Sequence, residues 1–118
     1  MNTGPSQVVR NAVIFRDNFS CRRCGKTPGS QLHHRAPRAA GGSRHCEWIN
    51  GKANIVLLCL DCHTYVESHR TEALDNGWLV RRNSQDLPEE IPLTDLHGRQ
   101  FFLDDLGGVT YITTGVKS

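Results

Sequence analysis

Four cysteines form two C-x-x-C pairs that could together hold one metal ion. Cys21 and Cys24 make the first pair, Cys59 and Cys62 make the second, and 34 residues separate the two pairs. Each pair can present two thiolates from one tight turn, and two such turns complete a tetrahedron around Zn²⁺. Soft thiolates select zinc over magnesium, and four of them leave no open coordination position. The spacing therefore predicts a zinc site that is structural rather than catalytic.

Three other uses of cysteine fit the pattern less well. A thioredoxin-like redox pair needs a single C-x-x-C in a βαβ setting, and here there are two pairs without that setting. A C₂H₂ zinc finger needs two spaced histidines after one cysteine pair, whereas His33 and His34 are adjacent. Disulfides need an oxidising compartment, and the first residues do not resemble a secretory signal. We therefore expect a reducing cytoplasm, with the fifth cysteine, Cys46, as a free thiol in a loop.

Three histidines and one asparagine accompany the cysteines: His33, His34, Asn54 and His63. A neutral imidazole, whose reference pKa is ~6.5, can take a proton from water at neutral pH or can bind a divalent cation. Adjacent residues on a strand point to opposite faces, so His33 and His34 could not both ligate one ion from a regular strand. The geometry favours one ligand and one general base without deciding which histidine has which role.

A base beside a divalent cation suits hydrolysis of a phosphodiester. The base generates the attacking hydroxide, and a cation with few protein ligands stabilises charge on the phosphorus centre and on the leaving oxygen. Taken singly, the residues have simpler interpretations. Asn54 could be a turn residue and His63 an alternative zinc ligand, while Glu67, one helical turn further on, fits a solvated helix face better than a metal site. The ordered set, rather than any one member, indicates hydrolytic chemistry.

The ordered set resembles the HNH endonuclease family in its zinc-containing form. The resemblance covers residues 16–69, nearly half of the chain. Several motifs occur in order at compatible spacings: Cys21-x-x-Cys24, Leu32-His33-His34, Gly41-Gly42 and Asn54-Ile55-Val56-Leu57-Leu58-Cys59-x-x-Cys62-His63. The resemblance implies a ββα-metal (His-Me finger) core, in which two strands and a helix surround one divalent cation.

The resemblance also implies the role of each residue. His34 is the general base that activates water, and His33 and His63 are ligands of a catalytic Mg²⁺, Mn²⁺ or Ni²⁺. Asn54 braces the loop and helps to orient His34. Together, His34, Asn54 and His63 form the catalytic set, and double-stranded DNA is the substrate.

The elements that must position these residues can be read from the hydrophobic pattern. A helix is expected after Pro5-Ser6, since apolar residues recur at helical intervals there. The pattern then predicts short strands at 32–35 and 55–58, a helix over 61–75 that stops at Asn76-Gly77, and a strand at 78–82. Residues 100–103 and 109–112 flank a turn-rich segment and predict a β-hairpin. The result is an α+β fold: a ββα-metal core with a four-cysteine structural zinc site, an N-terminal helix and a C-terminal hairpin extension.

Charge divides the chain into two parts. Residues 1–82 carry twelve Lys and Arg against six Asp and Glu, whereas residues 83–118 carry two against six. We predict a nuclease domain over 1–82 and an acidic extension over 83–118. A basic body favours a polyanionic partner, although an ordinary solvated surface gives the same count. Basic side chains scattered around the site would hold phosphates without reading sequence: Arg22, Arg23, Lys26, Arg35, Arg38, Arg44, Lys52 and Arg70.

These observations predict a DNA endonuclease of low sequence specificity. The longest apolar run is 55–60, far short of the ~20 residues that a membrane helix needs, so no membrane partner is expected. The compact chain is similar to the free-standing HNH proteins of bacteriophages, which suggests the packaging terminase as a partner by analogy. The alternatives are a non-catalytic zinc module that binds nucleic acid and a phage assembly module.

Overall fold

The computed structural model describes residues 4–37 and 47–112, without the side chain of Glu47. Cys46, Arg38, Arg44 and Gly41-Gly42 lie outside the described residues. The helices are α1 (Gln7–Arg16), α2 (Leu60–Ser68) and α3 (Arg70–Asp75), and the strands are β1 (Gln31–His34), β2 (Ile55–Leu58), β3 (Leu93–Thr94), β4 (Gln100–Leu103) and β5 (Val109–Tyr111). Within the described ranges, no helix is long and apolar enough to cross a membrane.

The ββα core consists of β1, β2 and α2. The strands are antiparallel, and His33 is opposite Val56 while His34 is opposite Ile55. All four residues of β2 are buried, because this strand lies at the centre of the fold, and α2 packs against both strands. The predicted α+β fold with a ββα arrangement and an N-terminal helix is confirmed.

Helix α1 is anchored to the core through Asp17, the residue that follows it. Ser6 caps the start of the helix by accepting a hydrogen bond from the Val9 amide. At the other end, the buried Asp17 carboxylate accepts hydrogen bonds from Arg16 Nε, Arg22 Nε and the Leu57 amide. Burial of this carboxylate is tolerable because two guanidinium groups and one amide satisfy its oxygens. Asp17 thus joins α1, the first cysteine turn and β2.

The helix predicted over 61–75 is two helices that meet at His69. His69 has φ −120° and ψ 63°, which is outside the helical region. Just before it, the Ser68 hydroxyl donates to the carbonyls of Thr64 and Tyr65. Such local side-chain bonds compete with the helical ladder and weaken it. The predicted stop at Gly77 is correct: its φ is +83°, and a Cβ there would collide with the Pro92 carbonyl oxygen.

The C-terminal strands form a second antiparallel sheet in the order β3-β4-β5. The predicted hairpin is β4-β5, and β3 is an additional strand that the sequence pattern did not indicate. Leu93, Phe101 and Leu103 are fully buried in one hydrophobic cluster with Trp78 and Val66. This cluster includes residues from both sides of the proposed boundary between 82 and 83, which stays a proposal that truncation can test.

The strand predicted at 78–82 is wrong. The segment is irregular, and its Val80 amide donates to the Arg35 carbonyl just beyond the end of β1. The apolar residues that suggested a strand are buried for another reason. The Trp78 indole lies in the main cluster and donates to the Thr94 carbonyl, while Val80 packs with Ala36 and Ile49 in a smaller cluster. These apolar residues are buried without pairing to a neighbouring strand, and this burial gave the sequence pattern of a strand.

Candidate metal and catalytic site

The two cysteine pairs come from two different kinds of turn. Cys21 and Cys24 lie in a tight turn that precedes β1. This turn ends at Gly25, whose φ is +87°. Cys59 is the N-cap of α2 and Cys62 lies in its first turn, with the Cys62 amide 3.4 Å from Cys59 Sγ. The two turns meet because the Arg22 amide donates to the carbonyl of Leu57 in β2. Strand β2 thus leads directly into one pair while holding the other.

The four sulfur atoms have the spacing that zinc requires. All four lie within 4.8 Å of one another, and Cys24 Sγ is 3.7 Å from Cys59 Sγ. A tetrahedron with Zn–S bonds of ~2.3 Å has edges of ~3.8 Å. A disulfide would need ~2.05 Å, and these cysteines are free thiols. The residues therefore fit a four-thiolate zinc ion, and Cys21, Cys24, Cys59 and Cys62 are brought together as the spacing predicted.

Arg23 supplies the positive charge that a four-thiolate site needs. Its Nη1 donates to Cys62 Sγ at 3.2 Å, and its guanidinium stacks over the Tyr65 ring at 4.4 Å. Burial raises the pKa of the Cys62 thiol, and the hydrogen bond from Arg23 acts against that increase. Four thiolates around Zn²⁺ carry a net charge of two minus, so a buried guanidinium beside them lowers the cost of burial. Arg23 is therefore directed at the cysteine cluster, where a bound zinc ion would benefit from its charge.

A second group of ligand-type atoms lies on the neighbouring face of α2. His33 on β1, with His63 and Glu67 on α2, presents one ligand atom each within 4.8 Å of the others. Glu67 Oε2 is 3.7 Å from His33 Nδ1 and 4.0 Å from His63 Nε2. His63 and Glu67 are four residues apart, which puts them on the same helical face. Since Cys62 precedes His63, the cysteine cluster and this second group share the first turn of α2.

The hydrogen bonding of His33 leaves its lone pair directed towards this group. Its Nε2 is 2.7 Å from the Trp78 carbonyl oxygen. A carbonyl only accepts, so Nε2 carries the hydrogen and Nδ1 carries the lone pair in the neutral ring. Burial lowers the pKa of His33 to about 4, so the ring is neutral at physiological pH. An imidazole lone pair and a carboxylate then face each other across 3.7 Å with no proton between them, an arrangement that a cation stabilises.

The group is open to solvent on one side only. The His33 side chain is 1% exposed, whereas the side chains of His63 and Glu67 are 32% and 46% exposed. A cation held there would have protein ligands from β1 and α2 on the buried side and free positions towards water. Open positions distinguish a catalytic cation from a structural one. Glu67, which the sequence placed on a solvated helix face, contributes to this arrangement.

His34 is held apart from this group by a different partner. It is the last residue of β1 and is half-buried, and its Nε2 is 2.8 Å from Asn50 Oδ1. When Nε2–H donates to that oxygen, Nδ1 is the nitrogen with the lone pair. The sequence did not indicate Asn50, because nothing in its surroundings distinguishes it from an ordinary turn residue. Asn54, which we expected to brace the loop and to help orient His34, lies close by in the sequence.

The Asn54 side chain joins Ala36, which lies just after β1, to Ile49. Its Oδ1 accepts from the Ala36 amide at 2.9 Å, and its Nδ2 donates to the carbonyls of Ala36 and Ile49 at 3.1 and 2.8 Å. Its backbone carbonyl also accepts from the Arg35 amide, just after His34. The side chain is fully buried. Asn54 braces the segments that carry His34 and Asn50.

Several arginines that the sequence assigned to phosphate binding have structural partners instead. Arg35 is 0% exposed, and its guanidinium donates to the carbonyls of Gly77, Ala53, Pro88 and Ile91. Burial lowers the pKa of Arg35 to about 9, which still leaves it charged at neutral pH. Arg22 is paired with Asp17, and Arg23 contacts Cys62. A sequence shows the charge of an arginine but not the carbonyls that surround it.

Comparison with known proteins supports a nuclease. Residues 21–68 match the family model described as HNH endonuclease. These residues span the zinc cysteines, both strands of the ββα core and helix α2. No curated protein and no solved structure matches the chain.

Proposed function

We propose that the chain, whose residues 21–68 match the HNH endonuclease family model, hydrolyses phosphodiester bonds of double-stranded DNA with one divalent cation. In this proposal, His33 and His63 hold the cation and Glu67 completes the protein side of the site. His34 accepts the proton of the attacking water. The four cysteines hold a separate zinc ion that keeps α2 in place.

The observation that supports the proposal most strongly is the contact between His33 and Glu67. The Trp78 carbonyl fixes the hydrogen of His33 on Nε2, so the Nδ1 lone pair faces a carboxylate oxygen at 3.7 Å. Two acceptors in this geometry repel each other, and a cation bound between them would turn that repulsion into attraction. A hydrogen bond to the backbone carbonyl also orients the ring and raises its strength as a ligand. A purely structural module has no use for such an arrangement.

The remaining residues supply positioning and proton transfer. A bound Mg²⁺, Mn²⁺ or Ni²⁺ would polarise the phosphate and stabilise the leaving oxygen. His34 would take the proton of water, and its contact with Asn50 Oδ1 would align the ring and stabilise the charge that it gains. Asn54 would keep both segments in register.

Charge supports nucleic acid as the substrate. The basic excess over residues 1–82 favours a polyanion, and phosphate contacts position a duplex without reading its sequence. We accordingly propose low sequence specificity and activity in the cytoplasm, where the thiols stay reduced. Action beside a phage packaging terminase is an extension supported by the resemblance alone, and copurification of the two proteins from co-expressing cells would test it.

The experiment is a supercoiled-plasmid assay with zinc-loaded protein. Nicked or linear product should form with added Mg²⁺, Mn²⁺ or Ni²⁺ and should be absent without them, while metal analysis verifies that zinc remains. Glu67→Gln should raise the cation concentration needed for half-maximal cleavage, because it removes a charge without changing size. His97→Ala, at an exposed histidine outside the group, is the matched control and should change nothing. Binding without cleavage in all three metals would favour the non-catalytic module instead.

A further inference from the structure

A polar groove lies on the side of the fold where the two helices α2 and α3 meet. Its volume is about 430 Å³, which is within the ~300–1,000 Å³ range of ligand-binding clefts. Three arginines line it, and among the described residues of the lining there is no carboxylate. The lining residues are Pro37, Arg70, Thr71, Leu74, Leu79, Val80, Arg81, Arg82 and Asn83.

Arg70 connects the groove to the histidine and carboxylate group. Arg70 lines the groove, and its Nη1 is 3.3 Å from Glu67 Oε1, while the other oxygen of Glu67 faces His33. On the opposite side, the Val80 amide bonds to the Arg35 carbonyl, which holds the segment leading to Arg81 beside the residues that follow β1. One lining residue, Arg70, therefore contacts a proposed cation ligand, and another, Val80, is bonded to the residue that follows His34.

The chemistry of the lining fits a sugar-phosphate backbone. The exposed Arg81 guanidinium presents planar N–H donors that match phosphate oxygens in a bidentate manner. Leu74, Leu79 and Val80 contribute apolar surface, which a deoxyribose can cover. Arg81 is exposed at the rim, where a phosphate can reach it without prior loss of buried contacts.

We infer that this groove binds the backbone of the DNA strand adjacent to the phosphate that is cut. The inference rests on the proposed function, which defines the phosphate that is cut and therefore where the DNA strand lies. It adds a phosphate-binding segment, residues 79–83, that lies outside the matched residues 21–68. Arg81 is a positioning residue in this scheme, because it holds a neighbouring phosphate and does not touch the reacting atoms.

The test measures duplex binding by zinc-loaded protein without a catalytic cation, so that no cleavage occurs. Arg81→Ala should weaken binding about tenfold and should lower the slope of log affinity against log salt by about one, the effect of one lost phosphate contact. Arg10→Ala, an exposed arginine on α1 outside the groove, is the charge-matched control. Equal losses in the two variants, or no loss in Arg81→Ala, would overturn the inference, and an unchanged melting temperature excludes misfolding as the cause.

A modified substrate tests the contact. In short duplexes with neutral methylphosphonates along one strand, wild-type affinity should fall relative to the unmodified duplex, and Arg81→Ala should lose less from the same modification. An equal loss in Arg81→Ala and in the wild type would contradict a phosphate in the groove. Cleavage by the wild type is measured separately. If binding depends on Arg81 but no metal supports cleavage, the groove binds DNA as inferred and only the proposed nuclease function is overturned.

Discussion

Replacement of Asn54 by alanine is the perturbation that links the stability of the loop to the site. The side chain is fully buried, and it satisfies the amide and carbonyl of Ala36 together with the carbonyl of Ile49. Alanine removes all three hydrogen bonds and leaves these backbone groups buried without the partner. His34 and Asn50 lie on the two segments that this side chain joins, so their 2.8 Å contact depends on it.

The size of the effect follows from the three bonds. Each buried hydrogen bond contributes ~0.5–1.5 kcal/mol net, and a buried group left unsatisfied costs ~1–3 kcal/mol. The contributions are not additive, and water can enter part of the space, so we expect a loss of ~3–4 kcal/mol. For a chain of 118 residues, the melting temperature should fall by ~4 °C per kcal/mol, or ~12–16 °C in total.

The assay is thermal unfolding of zinc-loaded protein at constant excess zinc, followed by plasmid cleavage well below the melting temperature. Asn11→Ala, at an exposed position of α1 bonded to Gln7, is the matched control and should stay within ~0.5 kcal/mol of the wild type. We expect Asn54→Ala to lose most cleavage even when fully folded. A variant that melts like the wild type would refute the structural reasoning, and one that melts lower but cuts at the full rate would refute the link to His34.

Three further predictions concern the scaffold. Cys59→Ser should abolish stoichiometric zinc binding and with it the folded state, because structural zinc supplies ~10–16 kcal/mol against a total stability of ~5–15 kcal/mol. Metal analysis and circular dichroism are the measurements. A folded zinc-free protein would contradict the assignment. Arg35→Met should cost ~3–5 kcal/mol by thermal melting, since four carbonyls lose their donor, whereas Arg99→Met on the surface should cost under ~1 kcal/mol. A chain that ends at Arg82 loses Leu93, Phe101 and Leu103 from the main cluster, and burial of each of these side chains contributes ~1.5–3 kcal/mol to stability. Such a chain should show no cooperative melting. A sharp melting transition would instead support the boundary at 82/83.

The parts of the site that could be predicted are those in which residue type and spacing restrict geometry. Two C-x-x-C turns can meet in few ways, so the sulfur cluster follows from the sequence once β2 is recognised as a buried strand. The strand pair β1-β2 and the helix α2 follow similarly, because four consecutive apolar residues flanked by Asn54 and Cys59 leave little choice. The pairing of His33 with His63 was implied by the family resemblance, because strand geometry alone left open which of His33 and His34 is the ligand.

The parts that could not be predicted depend on partners distant in the chain. The Trp78 carbonyl is 45 residues from His33, and the Gly77, Pro88 and Ile91 carbonyls are further from Arg35 than any local pattern extends. Backbone carbonyls have no sequence signature, so a buried arginine looks identical to an exposed one. Glu67 was visible at four residues from His63, but its contact with His33 requires the packing of α2 on β1.

The most direct test of the proposed nuclease is single-turnover plasmid cleavage by His34→Ala, with saturating Mg²⁺ or Mn²⁺. General-base assistance is typically worth ~10²–10⁴ in rate, so we expect a loss of that size with zinc content, melting temperature and DNA affinity unchanged. His63→Ala should differ, because excess cation partly restores a weakened ligand set. A folded, zinc-loaded His34→Ala protein that cuts at the wild-type rate would contradict the account.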